Sequence, residues 1–284
     1  MIRRVRLLTL VPLLVIGGSW PASGQQRPLA THDPEVVGAG QVLIEAGFDY
    51  GRDQLFSASG LKGDLLRVPL FGVTVGLGSL VDLQVTGGPY NTLKITSTET
   101  GELSDLLAVD GDSTTSAEDL MVATRVRLLE EADGTPAVAL RIATRVPFAS
   151  VESGLGLGTM DFYSSALVGK TAGSLRIVGN LGLGVLGSPE RGRTKATVVA
   201  YGASIARAMT DSVEVVGELN GRANLRTDDP PAGTEDRSML RVGARYTRGA
   251  ARLDAGILIG LTARDPGFGL TAGFTFALKA FTVR

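Results

Sequence analysis

Apolar and polar residues alternate along much of this chain. From Val213 to Arg226, the residues Val213, Val215, Gly217, Leu219, Gly221, Ala223 and Leu225 fall on one side. Glu214, Glu218, Asn220, Arg222, Asn224 and Arg226 fall on the other, with Val216 as its only apolar member. A period of two is that of a strand with one apolar and one polar face. The pattern recurs over 119–131, 136–148, 238–247 and 252–264, where aliphatic residues oppose Arg125, Arg127, Arg141, Arg145, Arg241, Arg245 and Asp254. With less regular neighbours included, strands are predicted near 41–50, 64–77, 81–96, 119–130, 136–149, 159–170, 174–187, 195–208, 213–225, 237–248, 252–262 and 268–281. Soluble strands usually hold about five or six residues, whereas a tilted strand crossing hydrocarbon needs about 9–11. These segments meet the second requirement.

The connections alternate in length. Those at 51–63, 97–118, 150–158, 188–194, 226–236 and 263–267 are mostly long and polar; those between them, such as Thr171-Ala172-Gly173 and Gly249-Ala250-Ala251, are tight. Short periplasmic turns alternating with longer external loops are the mark of an outer-membrane barrel, and a β-sandwich predicts no such alternation. The arginines then orient the wall. An arginine on the lipid side near the midplane costs about 2–4 kcal/mol, so turning Arg125, Arg127, Arg141, Arg145, Arg176, Arg222, Arg226, Arg241 and Arg245 outward would cost on the order of 20 kcal/mol. They face an enclosed interior. The predicted fold class is all-β: an antiparallel transmembrane β-barrel of about twelve strands over 41–284.

Composition agrees. Thirty-eight glycines disfavour a helical protein. A formal net charge of -1 argues against nucleic acid as a partner. With no cysteine there is neither disulfide nor thiolate metal site. At the amino terminus, Arg3, Arg4 and Arg6 precede an uncharged run from Leu7 to Ile16 and the small residues Ala22-Ser23-Gly24. That is the layout of a secretory signal peptide over 1–24, and the run falls well short of the roughly 20 residues of a spanning helix. Residues 25–40, polar and Pro-containing, read as a periplasmic lead-in that includes the single histidine, His32, in a disordered setting.

Glu118-Asp119-Leu120, then Pro136-Ala137-Val138-Ala139-Leu140, Val146-Pro147-Phe148, the Gly-rich run Gly154-Leu155-Gly156-Leu157-Gly158, Val168-Gly169-Lys170 and Gly179-Asn180-Leu181-Gly182 follow one another along the chain. In that order they resemble the outer-membrane transporter family linked to a MetA-type pathway of phenol degradation, over residues 40 to 281. The resemblance implies a monomeric outer-membrane barrel that passes small, often hydrophobic or aromatic compounds, and it carries no catalytic residues across. The chain departs from such barrels in continuing beyond Phe281 with Thr282-Val283-Arg284 rather than ending on an aromatic.

Other chemistry fits poorly. Gly169-Lys170-Thr171 lacks the glycine of a phosphate loop five residues earlier, where Ser164 stands. Asp110-Gly111-Asp112 lacks the glycine at the sixth and the acid at the twelfth position of a calcium loop, occupied by Thr115 and Met121. The Gly-x-Gly repeats at 154–158 and 182–184 precede no helix that could carry a dinucleotide. A barrel hydrolase would need a base such as histidine beside its nucleophile, and none lies within the predicted strands. Glu214, Glu218 and Asp254, the carboxylates that catalysis would draw on, sit among arginines in the pattern of an ion-pair network.

No catalytic residue, metal or cofactor is therefore expected. The expected partners are outer-membrane lipid, the barrel-assembly machinery and a small-molecule solute. The expected functional surface is an inner wall formed by Arg125, Arg127, Arg141, Arg145, Arg176, Glu214, Glu218, Arg222, Arg241, Arg245 and Asp254, with anions favoured by the arginine excess. Two readings stay open: a passive channel for small solutes, and a structural or adhesive barrel of closed lumen whose external loops, chiefly 97–118 and 226–236, bind partners.

Overall fold

The computed structural model describes residues 27–189, 195–226 and 229–281. The signal-peptide segment 1–24 and the tail 282–284 lie outside them. The strands are Gln41–Phe56 (β1), Leu61–Gly76 (β2), Val81–Gly87 (β3), Asn91–Thr98 (β4), Ser113–Ser116 (β5), Leu120–Leu129 (β6), Ala137–Val146 (β7), Asp161–Ala172 (β8), Leu175–Leu186 (β9), Ala196–Ala208 (β10), Val213–Asn224 (β11), Arg237–Arg248 (β12), Ala251–Gly260 (β13) and Phe268–Lys279 (β14). The only helix among the described residues is a single 3-10 turn, Ser104–Leu106.

Antiparallel pairing runs β1-β14-β13-β12-β11-β10-β9-β8-β7-β6-β3-β2 and closes by β2 on β1. The barrel thus has twelve strands, and closure leaves it no free edge. Strands β4 and β5 extend the wall beyond the ring, β4 on β2 and β5 on β4. The predicted strand at 81–96 is β3 and β4 in succession. It breaks where Pro69 and Pro89, neither with an amide hydrogen to donate, fall between the Phe71–Gly87 and Arg67–Asn91 pairs.

One boundary differs clearly from expectation. The polar run Gly51-Arg52-Asp53-Gln54 looks like a loop, yet it belongs to β1, paired through a register shift to β2, and only 57–60 turn. At about 3.3 Å per residue these two 16-residue strands reach about 50 Å, well beyond the hydrocarbon. Their projecting ends bury Leu61, Leu65 and Leu93 against Phe56, Ile95, Leu107, Val109 and Leu155. The sequence 97–118, expected as an open loop, folds partly into this cap. At the other end the turns are short. Gly173 and Gly249 take φ of +59° and +60° in two-residue turns, a conformation that favours glycine in hairpins of this hand.

Side-chain parity follows the predicted faces. Ile142, Ile177, Leu181, Leu183, Leu253, Phe274 and Phe276 point outward and are exposed, forming a contiguous apolar surface. An outward apolar band of this kind is what acyl chains would cover. The inner wall holds the charged residues together with glycine, alanine, serine and threonine, while Val216 and Leu258 are apolar residues buried on that side.

Candidate functional site: a charged lumen with an internal belt

The described part of the expected lead-in, residues 27–40, does not hang free in the periplasm. It runs round the inside of the barrel. Arg27 donates to Thr271 Oγ1 at 3.0 Å and to the Ala272 carbonyl at 2.9 Å on β14, and lies 3.5 Å from Asp254 on β13. The Arg27 carbonyl accepts from Arg245 Nε of β12 at 2.8 Å. Next, Glu218 of β11 accepts the Ala30 and Thr31 amides, both at 2.7 Å. His32 exchanges two main-chain bonds with the Asn180 side chain of β9 at 2.7 and 2.8 Å. Asp33 receives a two-pronged bond from Arg176, both contacts 2.6 Å, while its carbonyl takes Arg125 Nη1. Glu35 lies 3.4 Å from Arg127, and the Val37 amide donates to Asp82 of β3 at 2.9 Å.

This belt accounts for several glycines of the inner wall. A Cβ on Gly47 or Gly273 would stand 2.5 Å from the Arg27 guanidinium, one on Gly169 would stand 2.8 Å from Pro34, and one on Gly76 would stand 2.0 Å from the Gly38 carbonyl. A Cβ on Gly243 would stand 3.1 Å from Pro28, and one on Gly202 would stand 3.0 Å from Thr31. The glycines mark a track cut for the belt. Physically, the segment lies inside because the Ala30, Thr31, His32 and Val37 amides and the Asp33 and Glu35 carboxylates find partners there. An unpaired buried amide or charge would be costly, and the wall's arginine excess needs carboxylates such as Asp33 and Glu35. Leu29, Val36 and Val37 are buried as well.

All eleven predicted lumen residues project inward, but they fall into two groups. Arg125, Arg127, Arg176, Glu218 and Arg245 bond the belt directly, and Asp254 pairs with Arg27. Glu214 lies beneath it, 3.9 Å from Arg245 and 3.7 Å from Arg252. Arg141, Arg145, Arg222 and Arg241 border open space instead: a cavity of about 610 Å³. The belt residues Arg27 to Ala30 and His32 form one side of it, and Phe56 to Ser59, Gly154, Leu155, Leu157 and Gly233 from the external loops form the other. Seven arginines and four carboxylates line it: Arg27, Arg67, Arg141, Arg145, Arg222, Arg237 and Arg241, with Glu45, Asp49, Glu118 and Asp119.

The loops over the cavity are tied to one another. Ser59 Oγ donates to the Gly154 carbonyl at 2.8 Å, the Gly233 amide donates to Ser57 Oγ at 3.2 Å, and Arg222 Nη2 donates to the Gly233 carbonyl at 2.7 Å. Arg145 is braced by Asp161 at 2.5 Å and Asp119 at 3.2 Å. Glu118, in the external connection between β5 and β6, has its carboxyl held above the usual range by burial, partly offset by Arg67. Arg27, His32, Asp33 and Glu35 are functional-site residues that strand periodicity does not reveal. The signals were the arginine surplus on the wall and the apolar Val36-Val37 pair within a segment otherwise read as polar.

Both carboxylate oxygens of Glu218 are occupied, by the Ala30 and Thr31 amides and by Arg241 at 2.6 Å, so this side chain positions the belt. No group of three or more metal-ligating side chains converges among the described residues.

A closed antiparallel ring of twelve strands, apolar outside and charged within, defines an outer-membrane type of β-barrel. Among solved structures, an outer-membrane channel from Pseudomonas putida F1 superposes with a TM-score of 0.60 at 15% identity, over 87% of this chain and 98% of that one. The translocator domain of the autotransporter NalP from Neisseria meningitidis gives 0.49 at 13% identity, over 84% and 89%. The toluene transporter TodX of Pseudomonas putida gives 0.38 at 9%, over 85% and 89%. At these identities the likeness is one of fold, and the first superposition alone carries weight. No family model matches the sequence, and no curated protein matches it.

Proposed function

We propose that this chain is a passive outer-membrane channel for small solutes, acting as a monomer and exported by the signal peptide at 1–24. The observation that carries the reading is the cavity of about 610 Å³ inside the wall, bordered by charged side chains. A barrel built only as a structural element could fill that space with side chains, as small barrels do. The fold likeness to a channel of Pseudomonas putida F1 supports the same conclusion. The motif resemblance to transporters linked to phenol degradation supports small hydrophobic or aromatic compounds as the solute class. In this reading Arg141, Arg145, Arg222 and Arg241 line the route. Arg125, Arg127, Arg176, Glu218, Arg245 and Asp254 hold the belt that bounds it, and Glu214 pairs with Arg245 behind it. Barrel-assembly machinery and outer-membrane lipid are its partners in biogenesis.

Planar-bilayer recording of the purified mature chain tests the proposal. Conductance steps above background are expected, with a reversal potential in a salt gradient that favours anions because arginines exceed carboxylates along the cavity. Cation preference would refute the assignment of those arginines to the route. The belt and the tied external loops favour a second reading, a barrel of closed lumen that serves structure or adhesion. A folded protein that gives no conductance and no solute flux would establish that reading instead.

A further inference from the structure

Arg141 is a buried cation that no ion pair holds among the described residues. On β7 it stands directly across from Arg125 of β6, and Arg125 stands across from Asp82 of β3. Two guanidiniums in this row thus share one carboxylate. Arg125 takes it, and the remaining capacity of Asp82 goes to the Val37 amide at 2.9 Å and Gln84 Nε2 at 3.4 Å. On its other side Arg141 faces Ser165 of β8. Its Nε donates to Gln84 Oε1 at 3.3 Å; among the described residues its two terminal nitrogens have no hydrogen-bond partner, and no ion pair holds it. The residue is only 8% exposed, and that exposure is to the cavity. His32, also bordering the cavity, has a buried Nδ1 without a partner.

Like charges opposed across strands repel, and a buried cation is costly to keep uncompensated. An anion entering the cavity would remove both penalties. The free fork of a guanidinium matches the two oxygens of a carboxylate better than it matches a spherical halide. The space also far exceeds one inorganic ion, lying within the roughly 300–1,000 Å³ common to small-molecule sites. Leu29, Leu70 and Met121 supply apolar surface on the same lining. We infer that Arg141 is the recognition point for small organic carboxylates, whose apolar body lies along those side chains. This deepens the solute-channel reading and rests on it for its physiological sense.

Calorimetric titration of the full mature chain in detergent provides the test, with benzoate as the probe and benzyl alcohol as a neutral molecule of similar size. Benzoate is expected to bind saturably, at least about ten-fold more tightly than benzyl alcohol. Arg141→Gln, verified as folded by heat-modifiable migration, is expected to lose about ten-fold or more in benzoate affinity. Equal binding of the two probes, no benzoate binding, or a folded variant of unchanged affinity would each overturn the site. Should the variant not fold, the wild-type comparison of the two probes decides alone. Liposome flux separates this proposal from the channel reading. Preferential benzoate binding without flux of either probe removes the channel and leaves the site, while flux of both probes without benzoate preference does the reverse.

Discussion

Replacing Glu218 by glutamine should release the belt from the wall while leaving the barrel closed. Glu218 is 3% exposed and is engaged by the Ala30 amide, the Thr31 amide and Arg241, at 2.7, 2.7 and 2.6 Å. A glutamine keeps one acceptor oxygen and turns its NH2 group on the remaining donors. Breaking a buried charge pair by removing one partner costs about 3–5 kcal/mol. Arg241 retains Asn220 at 3.1 Å and is partly exposed, so the effective loss falls below that range. Since each 1.4 kcal/mol is ten-fold in an equilibrium, local opening of the belt should rise at least about ten-fold. The chain has no cysteine, so a single Thr31→Cys provides a clean reporter. Thr31 is 6% exposed and its hydroxyl has no partner to lose. In otherwise wild-type protein the thiol should react slowly with a water-soluble reagent; with Glu218→Gln the rate should rise about ten-fold or more. Fast labelling in the wild-type background, or an unchanged rate in a folded double variant, would refute the placement of the belt and its anchoring by Glu218.

Three further outcomes follow. Gly169→Leu, whose Cβ would meet Pro34 at 2.8 Å, should expose the same Thr31→Cys reporter, whereas Gly179→Leu, with nothing within 4 Å, should leave it protected; equal labelling would refute the glycine track. Leu181→Arg, on the outward face of β9, should destabilise the barrel by about 2–4 kcal/mol in lipid vesicles, measured by denaturant unfolding, and no loss there would place that face away from acyl chains. Glu118 supplies a pH effect. Because burial raises its folded pKa above the unfolded value, ionised Glu118 opposes folding at pH above both values, and that cost disappears as pH falls through the raised value. Over the same window its protonation frees Arg67, 3.8 Å away, so anion preference read from reversal potentials should rise on acidification, and less so in Glu118→Gln. Identical pH profiles would refute a role for that pair.

The alternation over 213–226 was enough to place Glu214, Glu218 and Arg222 on one side of a strand, and the cost of arginine in lipid was enough to make that side the interior. Such information is local: a two-residue period, loop lengths and transfer free energies can all be read along one dimension. Strand count, closure and the outward apolar band therefore lay within reach of the sequence. The polar run at 51–54 misled because turn residues also occur in strands that project past the membrane into water. Only the tertiary structure decided what the arginines do. Whether Arg176 meets Asp33, or Arg141 meets only Gln84, depends on residues far apart in sequence converging around a ring. The path of 27–40 depends on a glycine track assembled from separate strands. No periodicity encodes such convergence, because pairing between an unstructured segment and a curved wall exists only after the wall has closed.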